Sequence, residues 1–162
     1  MARWSNPADA LVALGNVLAP AAPDAVMVVG IDGVGRGREC CTPCGLLRVE
    51  MLRVDPQDGG PHLVGRCGDV VLGVAVTWTT CIPVIKASGA APDPLVSTNA
   101  SLGALRNGWT LLRSLWGSDE AAWWRLVGIL PAGEGNCEGV RIDLETDISV
   151  CGPAIDEQIG IC

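Results

Sequence analysis

The sequence predicts a single α+β domain in which two helices flank a mixed or antiparallel sheet of about five strands. Three observations carry that expectation. Apolar residues recur at helical spacing in two stretches, Leu11/Leu14/Leu18 and Leu102/Leu105/Trp109/Leu112/Trp116. Strict alternation of apolar and polar residues marks Leu47–Met51 and Ile142–Ile148, and a longer β-rich run spans Val71–Thr79. Finally, 162 residues, 49% of them hydrophobic, suit one core, and no internal repeat divides them. Residues 1–150 are assigned to the domain and 151–162 to a C-terminal extension.

The first helix opens with Asn6 as its cap, Pro7 at the first helical position and Asp9 in the first turn, where a carboxylate meets the positive end of the helix dipole. Pro20 and Pro23 close it. The apolar run Ala25–Ile31 predicts a buried strand. A glycine-rich loop from Asp32 to Arg38 leads into Cys40-Cys41-Thr42-Pro43-Cys44. The second strand follows, with Leu47, Val49 and Met51 on one face, and ends at Asp55-Pro56. After the loop Gln57–Pro61, the third strand carries Leu72, Val74, Val76 and Trp78 on one side and runs to Cys81.

An Ala/Pro/Gly-rich loop spans residues 86–94. The long second helix follows, with Ser97 or Thr98 as the expected cap. A fourth strand is read from Trp124 to Leu130, a turn at 133–136, and then a fifth strand. That last strand points Ile142, Leu144, Thr146 and Ile148 inward and Arg141, Asp143, Glu145 and Asp147 outward.

The formal charge of −7 and a pI near 4.5 argue against a protein that grips phosphates, although an acidic wall past which DNA slides remains allowed. No apolar stretch suits a membrane span, and the N-terminus does not read as a signal peptide. The loop Asp32-Gly-Val-Gly-Arg-Gly37 follows a strand, but a dinucleotide-binding turn needs a helix straight after the glycines. The cysteine cluster stands there instead, so the loop reads as a turn or as an interaction element carrying Arg36 and Arg38.

Chemistry is tested by inventory. The single histidine, His62, lies on a Gly-Gly-Pro-His loop with no acidic orienter, so no nucleophile–base pair is read. Asp143, Glu145 and Asp147 form a ladder on one strand face, a pattern of a solvated sheet and not of loop oxygens converging on a cation. No catalytic residue, cofactor-binding residue, metal ligand or cofactor is assigned, and the chain is expected not to be an enzyme. Trp109 and Trp116 are expected in the packed face of the second helix. Of the adjacent Trp123 and Trp124, one is expected to leave the core and contact another subunit.

Eight cysteines remain: Cys40, Cys41, Cys44, Cys67, Cys81, Cys137, Cys151 and Cys162. Cys41-x2-Cys44 has half the spacing of a zinc knuckle, but no second pair completes it. An even count at wide spacing points to disulfides in a protein that works outside a reducing cytosol, with the pairing left open among 105 possibilities.

The stretch from Trp124 to Leu144, with Pro131-x-Gly133-x-Gly135-x-Cys137-x-Gly139 as its turn, resembles a hairpin in small neck and tail proteins of long-tailed bacteriophages infecting actinobacteria. The cysteine cluster before a strand, Cys67 and Cys81 at the ends of the next, and Gly108-Trp109 in the long helix extend the likeness over most of residues 5–150. In element order the nearest match is the tail terminator. The resemblance implies a non-catalytic virion protein, assembled in the host cytoplasm, that forms a hexameric ring on the last layer of tail-tube subunits. It would cap the tube and meet the head-completion protein, with DNA passing non-specifically through the lumen. The Asp143/Glu145/Asp147 ladder is then expected to line the lumen. Loops 33–38 and 86–94 and an arm at 150–162 are expected to carry contacts. Alternatives are a head-completion or stopper protein one layer higher and, more remotely, a small zinc-knuckle binding module at Cys40, Cys41 and Cys44.

Overall fold

The computed structural model describes residues 2–31, 45–56, 67–81, 93–134 and 137–151. The order of elements is α1 (Pro7–Leu18), β1 (Val26–Ile31), β2 (Leu46–Pro56), β3 (Cys67–Cys81), α2 (Pro94–Trp116), β4 (Arg125–Glu134) and β5 (Cys137–Cys151). Short 3₁₀ turns follow each helix, at Ala19–Ala21 and Asp119–Trp123. The fold is α+β, with two helices and one five-stranded mixed sheet in the order β1-β2-β3-β5-β4. Only β1 and β2 pair in parallel; all other neighbours are antiparallel.

Helix α1 starts as its sequence dictates. The Asn6 side chain accepts a hydrogen bond from the Ala8 amide at 2.8 Å, and Pro7 occupies the position that has no amide to satisfy. Helix α2 starts earlier than expected. Asp93 is its cap, accepting from the Leu95 amide at 2.9 Å, with Pro94 next. Thr98 lies inside the helix, where its hydroxyl donates back to the Pro94 carbonyl at 2.8 Å.

Strands β3 and β5 form the centre of the sheet and run antiparallel in unbroken register from Cys67 opposite Cys151 to Cys81 opposite Cys137. Even-numbered residues of both strands face the helices. Leu72, Val74, Val76, Ile142, Leu144 and Ile148 there pack with Leu11, Leu14 and Leu18 of α1 and Leu111, Leu112 and Leu115 of α2. Leu47 and Val49 of β2 complete this core, so both helices lie on the same side of the sheet. Ahead of α1, the Trp4 carbonyl accepts from the Ser149 amide at 2.8 Å, fastening the N-terminal segment to β5.

At least three backbone positions require glycine: at Gly139 a Cβ would run into the Trp78 carbonyl oxygen, and Gly45 and Gly108 are the other two. Gly45 enters β2 at φ +89°, and a side chain there would meet the Thr79 carbonyl oxygen at 2.7 Å. At Gly108, a Cβ would lie 2.9 Å from Val140 Cγ2, so α2 rests on β5 at a distance that only a hydrogen allows.

Several expectations are corrected. Strand β1 is not buried: Val26, Met27 and Ile31 are exposed, because it is an edge strand whose one partner is β2. A continuous apolar run does not reveal this, since edge and centre look alike in such runs. Strands β4 and β5 extend to Glu134 and from Cys137, so most of the expected 131–139 turn is paired strand. Strand β5 also includes Cys151, which had been assigned to the C-terminal extension.

Candidate interaction surface

The tryptophan-bearing stripe of α2 does not pack into the core. The residues that do are Ala104, Gly108, Leu111, Leu112 and Leu115. Trp109 is 53% exposed, Trp116 51% and Leu105 60%, which overturns the expectation that both tryptophans sit in the packed face. The reason is steric and angular. With about 100° of rotation per residue, the Leu102/Leu105/Trp109/Trp116 stripe lies about a third of a turn round the helix from the small-residue stripe. The close approach at Gly108 leaves no room for an indole on the sheet side. Leu112 lies between the stripes and is buried, which makes the outer stripe look like a core face when read from spacing alone.

The exposed stripe faces the sheet's edge. Helix α2 packs mainly over β5 and β3, and β4 at the sheet's edge keeps exposed apolar side chains. A bulge between Leu126 and Gly128 inserts Val127 and reverses the facing of the rest of the strand. Leu126, opposite Leu144, and Ile129, opposite Ile142, therefore both lie on the helix side. Leu102, Leu105, Arg106, Gly108, Trp109 and Ile129 line a shallow groove of about 390 Å³. Leu126, Val127, Ile129 and Leu130 are all exposed, and β4 has no strand partner on its outer side among the described residues. An apolar patch beside an unpaired strand edge is a surface for protein contact.

Trp123 and Trp124 divide as expected between outside and inside, with Trp124 buried and Trp123 partly exposed. Trp123 lies in the 3₁₀ turn and not in a strand. The Arg3 guanidinium lies 4.8 Å from the Trp4 ring centre and 5.6 Å from that of Trp123, and it is ion-paired with Glu120 at 2.8 Å. This cluster closes the end of the sheet where β4 begins.

The opposite face of the sheet is polar. Asp143, Glu145 and Asp147 do lie in a row there, but each carries an arginine. Arg141 contacts Asp143 at 2.6 and 3.2 Å, Arg53 contacts Glu145 at 2.7 Å, and Arg125 makes a two-pronged contact with Asp147 at 3.1 Å. Hydrogen bonding to Asp147 raises the Arg125 guanidinium above its ordinary value, outweighing the effect of partial burial. The outward ladder of Asp143, Glu145 and Asp147 is thus a lattice of paired charges. The alternation of Arg141 with the carboxylates was a visible signal; Arg53 and Arg125 come from other strands and were not. On the same face, Arg48, Glu50, Thr77, Thr79 and Arg141 line a depression of about 330 Å³. Glu50 is buried there, with its Oε1 lacking a hydrogen-bond partner.

Among the described residues no group of three or more His, Cys, Asp or Glu side chains converges as a metal site, and no helix is long and apolar enough to cross a membrane. Arg36, Arg38, Cys40, Cys41, Cys44, His62, the 86–92 part of the Pro-rich loop and residues 152–162 lie outside the described residues. No protein-family model matches the chain, and no curated protein matches it.

Proposed function

We propose that this chain is a structural subunit of a bacteriophage neck or tail, a tail terminator that closes a hexameric ring on the tail tube and joins it to the head-completion complex. DNA would pass through the ring without specific contacts, and the protein would work in the virion and not as an enzyme. The observation that carries the reading is the exposed apolar flank of α2 and β4 at one edge of the sheet. It is matched by exposed Val26, Met27 and Ile31 on β1 at the other edge. Two unlike apolar edges on one subunit suit a head-to-tail contact between identical copies, and such contacts close into rings when the rotation permits. The occupant assigned to the α2–β4 groove is therefore the β1 edge of a second copy of this chain. The hairpin and Gly108-Trp109 that resemble phage tail terminators lie on the same side of the molecule as this groove.

The lumen is not assigned to Asp143, Glu145 and Asp147, since paired carboxylates present little net charge. Mass photometry and negative-stain microscopy of the purified chain at rising concentration should find hexameric rings. Antibody labelling of the virus particles that encode it should mark the junction of head and tail. Absence of the chain from purified particles would overturn the reading.

A further inference from the structure

Both central strands begin and end in cysteine. Strand β3 runs from Cys67 to Cys81, and β5 runs from Cys137 to Cys151. Because they pair antiparallel without a bulge, the register sets Cys67 opposite Cys151 at one end and Cys81 opposite Cys137 at the other. The two pairs are separated by an even number of residues. The two register positions therefore fall in the same class of cross-strand pair. Directly opposed residues of antiparallel strands have Cα atoms roughly 4.5–5.5 Å apart, inside the window that a disulfide spans. Cys137 is disulfide-bonded.

From this register we propose that the molecule carries two cross-strand disulfides, Cys81–Cys137 and Cys67–Cys151, one at each end of the β3–β5 ladder. The bridges are nested in sequence: the outer one encloses the inner one, α2 and the whole β4–β5 hairpin. Formation needs an oxidant, and a low-molecular-weight disulfide such as oxidised glutathione supplies it. A cysteine thiolate attacks that disulfide, one glutathione thiolate leaves, and a mixed disulfide remains. The opposed cysteine, as its thiolate, attacks the protein sulfur of the mixed disulfide and expels the second glutathione thiolate. Each bridge thus consumes two protein thiols, whose two protons pass to the two departing glutathione thiolates, so that one glutathione disulfide is reduced to two thiols. The pairing does not depend on the ring reading and is testable on the isolated chain.

Tryptic cleavage after Arg66, Lys86, Arg125 and Arg141 places Cys67 and Cys81 on one peptide, Cys137 on a second, and Cys151 with Cys162 on a third. The purified chain, equilibrated with a glutathione redox buffer, quenched with alkylating reagent and digested without reduction, should release these three peptides as one species. Fragmentation should assign Cys81 to Cys137 and Cys67 to Cys151, and reduction should separate all three. A Cys81→Ala variant should retain only the link between the first and third peptides, and Cys67→Ala only that between the first and second. Both variants should melt lower than the parent under oxidising conditions, and the difference should vanish when all samples are reduced. The proposal is overturned if Cys137 is joined to the peptide carrying Cys40, Cys41 and Cys44. It is equally overturned if Cys67 and Cys151 are recovered alkylated from the oxidised protein.

Discussion

Along α2, the stripe that meets the sheet is built from Ala104, Gly108, Leu111 and Leu115, whereas the exposed flank carries Leu102, Leu105, Trp109 and Trp116. The larger side chains are on the outside. A helix that only had to cover a sheet would place its bulk inward, because a buried Trp or Leu removes the most apolar area from water. Here the inward stripe includes two small residues, and Gly108 against Val140 sets the spacing between the layers. The difference teaches that α2 carries two apolar stripes, one packed inside the subunit and one left exposed on its surface, where the proposed ring contact would fall.

Substitutions can break or sharpen that contrast. The largest effect is expected inside: Leu111→Ala removes a fully buried side chain and should cost about 3 kcal/mol in denaturant unfolding. Gly108→Val forces a branched side chain into Val140 and should cost about 2 kcal/mol in the same measurement, by overpacking. On the outer flank, Leu105→Ser with Trp109→Ser should change monomer stability by no more than about 0.5 kcal/mol per site. The same pair should abolish hexamer formation in mass photometry. Equal destabilisation by inner and outer substitutions would erase the distinction between the two stripes. The smallest effect is expected on the far face. Arg125→Ala breaks a half-exposed ion pair with Asp147 and should cost under about 1 kcal/mol, less at raised salt.

The sequence made the helices and strands legible because their periodicities are local properties. Asn6-Pro7 named the start of α1, and Asp93-Pro94 carried the same signal for α2. That second signal stands at the end of an Ala/Pro/Gly-rich run and reads locally as loop, which is why the sequence points to Ser97 or Thr98 as the cap. The candidate surface was half legible. The spacing from Leu102 to Trp116 shows one face, but its direction depends on what Ala104 and Gly108 touch, and Val140 is far away in sequence. The exposure of β1 and β4 also follows from strand order, which no local pattern encodes. The same limit applies to the arginines: Arg53 and Arg125 neutralise carboxylates of β5 only because β2 folds to within reach across β3 and β4 pairs beside it.

The ladder between β3 and β5 has a further consequence, for the order of events in folding. Each strand is 15 residues long, and their pairing joins segments on either side of α2 and β4. The β4–β5 hairpin closes locally, within roughly microseconds by the scale of such units. The central ladder must wait until a long stretch of chain has been looped back, and such non-local pairing slows folding. The middle of the sheet, the most extensive contact in the finished molecule, is thus expected to be among the last parts to form.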